Sequence, residues 1–121
     1  VTNAMDDPPV GWLVAVQGPG KGQVLTLGIG SNAVGRGDDI RVPITFNDNQ
    51  ISRGKSFQVI YDGKNRKFYV TQGEGKTLIY LNDMPILEPT AIISGTQLSI
   101  GQTIFRFVSI CDSNFDWADT K

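Results

Sequence analysis

The chain has 121 residues, a formal charge of −1, a single cysteine and no histidine; that length suits one domain with one core, burying about two-thirds of the unfolded surface. A near-neutral balance without any Lys/Arg run excludes a broad basic face, so nucleic acid and membrane are not expected as partners. Without histidine the commonest general base and metal ligand are gone, and no enzyme, metal or other cofactor is expected.

Residues 1–9 are polar with Pro8 and Pro9 paired, and they read as a flexible tail. Gly11 to Gln17 (GWLVAVQ) is a short continuous apolar run that stops at GPGKG, a strand followed by a turn. Gln23 to Leu27 then alternates, so the two runs are expected to pair as a hairpin. Asn32 to Arg36 is another brief apolar piece. Pro43 belongs at a strand start or on an edge, which leaves Ile44 to Phe46 as a short strand.

Phe57, Val59 and Tyr61 alternate with polar or lesser neighbours, as do Phe68 and Val70, which predicts a second hairpin with Asp62-Gly63 in its turn. Leu78 to Leu81, Pro85 to Leu87, Gln97 to Ile100 and Thr103 to Ile110 complete the series. Nowhere do apolar residues recur at helical spacing over ten or more positions. The expected fold is all-β, a two-sheet sandwich over residues 10–110 with its loops clustered at the ends, and 14 glycines and 6 prolines fit the turn demand. In the C-terminal tail, 111–121, the rings of Phe115 and Trp117 are expected to pack back on the sandwich.

Cys111 has no partner for an internal disulfide, which favours a cytoplasmic setting, and the thiol reads as inert. No apolar run approaches the roughly 18 residues of a membrane span, and the sequence does not open on a charged-then-apolar leader.

Three glycine- or lysine-bearing stretches imitate known sites and fail on context. Gly28 to Ala33 fits the dinucleotide pattern, yet VGRGDD follows and opens no helix to receive a pyrophosphate. Gly75-Lys76-Thr77 resembles the end of a phosphate-binding P-loop, but Val70 stands at the required earlier glycine and strand-like LIYL comes next. Ser52 and Lys55 have the serine-x-x-lysine spacing without the helix or the further motifs that this chemistry needs. Asp38, Asp39, Asp48 and Asp83 show no metal-loop spacing and read as solvated turn acids.

What remains is the stretch from Gly35 to Lys55, GRGDDIRVPITFNDNQISRGK, which has the layout of an anion pocket. Arg36 and Arg53 offer guanidinium donors, Ser52 a rotatable hydroxyl, and Gly35 and Gly54 allow close approach of the backbone.

Gly35-Arg36, Ile51-Ser52-Arg53, Leu81-Asn82 and Ile100-Gly101 followed by FRF stand in the order of the motifs of the forkhead-associated (FHA) domain, a phosphothreonine-reading β-sandwich that the chain resembles from Gly11 to about Val108. The resemblance implies a module that binds a phosphothreonine-containing segment of a protein partner, the phosphate being placed there by a Ser/Thr kinase. Arg36 and Ser52 would hold the phosphate, the Arg53 backbone N–H would complete the cradle, and Lys76 and Thr77 would stand in the third peptide-contacting loop. Gly35, Lys55 and Asn82 would shape the loops. Three positions depart from the family pattern: Lys55 replaces a bracing histidine, Thr77 an asparagine that grips the peptide, and Asp83 the glycine after Asn82. A phosphate-independent interaction module of the same fold is the alternative.

Overall fold

The computed structural model describes residues 8–37, 40–46, 48, 51, 54–73, 77–112 and 114–116. These form strands and connections without a helix. In chain order the strands are β1 (Gly11–Gln17), β2 (Val24–Leu27), β3 (Gly30–Arg36), β4 (Val42–Pro43), β5 (Gly54–Asp62), β6 (Lys67–Gln72), β7 (Ile79–Leu81), β8 (Met84–Pro85), β9 (Thr90–Ile92), β10 (Gln97–Ile100) and β11 (Thr103–Ser109). They make two sheets, a six-stranded one in the order β2-β1-β11-β10-β7-β8 and a five-stranded one in the order β4-β3-β5-β6-β9.

Period-two alternation sets both faces. Phe57, Val59 and Tyr61 of β5 and Phe68 and Val70 of β6 point inward from the five-stranded sheet, and Leu13, Leu98, Phe105 and Phe107 meet them from the six-stranded one. Aromatic contacts join the layers: the Phe68 and Phe107 rings lie edge to face at 4.7 Å, and Phe57 tilts against Phe105 at 6.5 Å. Each fully buried ring contributes about 1.5–3 kcal/mol of apolar burial. Asn32 is the polar exception. Its amide donates to the carbonyls of Gly28 (2.8 Å) and Val59 (3.0 Å), and its oxygen accepts from the Gly28 N–H (2.9 Å), so a fully buried side chain braces the bend between β2 and β3 at no loss of hydrogen bonds.

Both expected hairpins form. β1 pairs antiparallel with β2, and β5 with β6 through a turn that Asp62 caps by accepting from the N–H groups of Lys64 (3.0 Å) and Asn65 (3.3 Å). The Asn65 side-chain amide also donates to that carboxylate and holds Asp62 below the usual carboxylate range. Pro43 does lie on an edge, in the two-residue β4 that runs parallel to β3.

Ile44 to Phe46, by contrast, is not a strand: the Ile44 N–H bonds the Gly35 carbonyl at 2.7 Å, and the chain then turns away to lay Phe46 on the end of the sandwich. The strand expected at Pro85 to Leu87 is Met84–Pro85 instead, with Leu87 exposed. β9 follows Pro89 with only Thr90, Ala91 and Ile92, too short for any alternation to announce it.

At the opposite end Val10 takes the N–H groups of Ile110 (3.0 Å) and Cys111 (3.1 Å) on its carbonyl. Cys111 is buried, and Phe115 packs against the core as expected; Trp117 lies outside the described residues. The Tyr61 hydroxyl donates to the buried Asp116 carboxylate. Burial, and then this carboxylate, push the phenol above its ordinary value.

Candidate functional site

β3 and β5 run antiparallel with Arg36 opposite Gly54 and Gly35 opposite Lys55, so the last residue of β3 and the first of β5 share one end of the sandwich. A shift of register after Val34 brings the two backbones together there. Gly35 has room for no side chain, while Gly54 adopts a φ of +94°, which favours glycine.

The third loop arrives beside them. β6 ends at Gln72 after pairing that residue with Phe57, and the next N–H, that of Gly73, donates to the Ser56 carbonyl at 3.0 Å. A Cβ on Gly73 would stand 2.4 Å from the Lys55 carbonyl oxygen, so this loop departs in close contact with the opening residues of β5. Gln72 then clamps the far side of the loop: its amide donates to the Thr77 carbonyl (2.9 Å) and its oxygen accepts from the Ile79 N–H (3.1 Å).

The connection from β4 to β5 is held across the same end. Phe46 covers Gly20, where a Cβ would come within 2.4 Å of the ring, and tilts against Phe105 at 6.2 Å. Ile44 and Ile51 are buried in the core. Asp48, expected as a solvated turn acid, is instead 1% exposed and accepts from the Gln102 N–H (2.8 Å) and the Thr103 hydroxyl (2.7 Å). That correction has a physical cause: the turn between β10 and β11 presents two donors to a carboxylate distant in sequence, and these hydrogen bonds offset the loss of hydration. The Asp48 carbonyl accepts in turn from the Ile51 N–H at 3.1 Å. Asp48 and Gln72 are therefore the supports that sequence reasoning did not single out.

On this frame the half-buried Arg36 side chain reaches out of β3, and its Nη1 donates to the Ile51 carbonyl at 3.0 Å. Ile51 immediately precedes Ser52 in the chain. Among the described residues no carboxylate pairs with this guanidinium, whose remaining N–H groups are available to an anion. Lys55 is exposed at the start of β5, and Thr77 is half-buried at the close of the third loop. Ser52, Arg53 and Lys76 lie outside the described residues, as do Asp38 and Asp39. Asn82 is elsewhere: with φ values of 49° and 73°, Asn82 and Asp83 make the tight turn between β7 and β8, separated from Thr77 by the length of β7. Among the described residues no three metal-ligating side chains cluster, and no helix is long and apolar enough to cross a membrane.

No protein-family model matches the chain, and no curated protein matches it in sequence. Solved structures do. An FHA domain of an Arabidopsis thaliana protein is 22% identical over 84% of this chain and 86% of its own, with a TM-score of 0.70. A domain studied for phosphothreonine-dependent FHA domain interactions is 20% identical over 82% and 95%, at 0.67. EmbR of Mycobacterium tuberculosis, solved in complex with a low-affinity phosphopeptide, is 16% identical over 95% of this chain and 28% of its own, at 0.69. Likeness at this level, spread over most of the chain, concerns the backbone, and by it the protein has the fold of forkhead-associated domains.

Proposed function

We propose that this domain is a phosphothreonine-dependent protein-binding module which docks a phosphorylated segment of a partner through Arg36 and Ser52. The observation that supports it most is the Arg36 guanidinium lying 3.0 Å from the Ile51 carbonyl, with donors to spare, at an end of the sandwich where three loops meet. A phosphate dianion needs several charge-assisted hydrogen bonds to repay its lost hydration. Arg36 supplies the charge, Ser52 a hydroxyl, the Arg53 backbone an N–H, and Lys76 and Thr77 the contacts of the third loop. Gly35 keeps the two strands close enough for this, and the partner is the product of a Ser/Thr kinase in the cytoplasm. Domains of this fold studied with phosphothreonine ligands or phosphopeptides support the same reading.

A phosphate-independent module of this fold is the second reading, favoured by the exposed Lys55 where the family places a bracing histidine. Screening a degenerate phosphothreonine peptide library beside its unphosphorylated twin separates the two. Enrichment confined to the phosphorylated set is expected; equal capture of both sets overturns the proposal.

A further inference from the structure

The solvent side of the six-stranded sheet carries an apolar surface that the phosphate site does not use. Register places its side chains in three rows: Thr26, Trp12 and Val108; then Val24, Val14, Arg106 and Gln97; then Gln17, Ile104, Ser99, Tyr80 and Pro85. At about 6.8 Å between rows and 4.8 Å between strands, this is a field on the order of 14 Å by 20 Å. An outward face of an antiparallel sheet ordinarily alternates to polar. Here β1 is apolar on both sides, with Trp12 and Val14 half-exposed, and Val24 is 53% and Tyr80 38% exposed.

Arg106 is the sole charged side chain among the described residues of those rows, it is exposed, and none of them pairs with its guanidinium. It stands on β11, third of the six strands, between Val14 and Gln97. A second copy laid over this face about a two-fold axis would bring two such guanidinium groups toward each other with no acid among the described residues of these rows to separate them. The surface therefore demands a different occupant.

We propose that this face is a second docking surface, independent of phosphate, for a protein partner whose apolar segment carries a carboxylate. The aliphatic and aromatic side chains of the partner cover Trp12, Val14, Ile104 and Val108, and its Asp or Glu pairs with Arg106. Burying the apolar field provides the affinity, and the single cation fixes the register and the sign of the partner.

Selection of unphosphorylated random dodecapeptides by display on the wild-type domain tests this, followed by titration of the selected peptide into ¹⁵N-labelled protein. Expected are sequences that combine Leu, Phe or Trp with Asp or Glu, amide shift changes at Trp12, Val14, Ile104 and Val108 with none at Gly35 and Arg36, and at least a tenfold loss of affinity in Arg106→Glu and Arg106→Gln. Selection on Arg106→Glu should exchange the acidic residues for Lys or Arg. Peptides that map elsewhere, an affinity indifferent to Arg106, or sedimentation showing that the domain already dimerises through this face would each overturn the proposal.

Discussion

A Cβ on Gly35 would lie 1.9 Å from the carbonyl oxygen of Gly54. No rotamer relieves that overlap, because both groups are backbone and neighbours in one ladder. Gly35→Ala must therefore spread β3 from β5 at the point where Arg36 leaves the sheet. It is expected to cost about 2 kcal/mol or more in urea unfolding. A variant as stable as wild type would mean that this close approach is not needed.

Asp48 ties the approach to Ser52 to the opposite sheet. Asp48→Ala leaves the Gln102 N–H and the Thr103 hydroxyl without their acceptor in a buried place, an expected loss of about 2–3 kcal/mol. Asp48→Asn keeps one acceptor oxygen and should cost less than half as much. Equal penalties for the two would show that the lost hydrogen bonds do not account for the effect.

Gln72 has a narrower task, since its amide holds the Thr77 carbonyl and the Ile79 N–H. Gln72→Leu should leave global stability within about 1 kcal/mol while speeding hydrogen exchange at Ile79. Unchanged exchange there would show that the loop keeps its shape without the clamp.

At the other end, Tyr61→Phe removes one hydrogen bond from the buried Asp116 carboxylate and is expected to cost about 1–3 kcal/mol. Its pH dependence has a definite sign. The folded phenol binds its proton more tightly than the unfolded one, so the stabilisation is complete below the ordinary phenol value of about 10 and is lost as pH climbs through the raised one. Denaturant midpoints measured upward from pH 9 should fall more steeply in wild type than in Tyr61→Phe; parallel falls would remove Tyr61 as the cause.

Much of this fold is legible from side-chain period alone. Phe57, Val59 and Tyr61 against Phe68 and Val70 announce a hairpin because one face of it is buried and the other wet. Thr90 to Ile92 escapes such detection, as three residues hold no period, and Ile44 to Phe46 mimics a strand because its apolar residues serve a loop folded over the core. Gly35 and Arg36 are legible as a glycine and a cation at a strand end. Asp48 is not, since burial of an isolated acid depends on a turn 54 residues away that no local pattern reveals. The clamp by Gln72 is hidden for a similar reason: an amide at a strand end signals nothing until the loop returns to meet it.

The proposed affinity for phosphate is assigned to Arg36, and calorimetry with a phosphothreonine peptide drawn from the library tests it most directly, comparing wild type, Arg36→Ala and the remote Arg106→Ala. Removing one partner of a desolvated ionic contact costs about 2–5 kcal/mol, a loss of roughly thirtyfold or more in affinity. The account predicts that loss in Arg36→Ala with wild-type affinity in Arg106→Ala, whereas an Arg36→Ala domain that binds the phosphopeptide as tightly as wild type would contradict it.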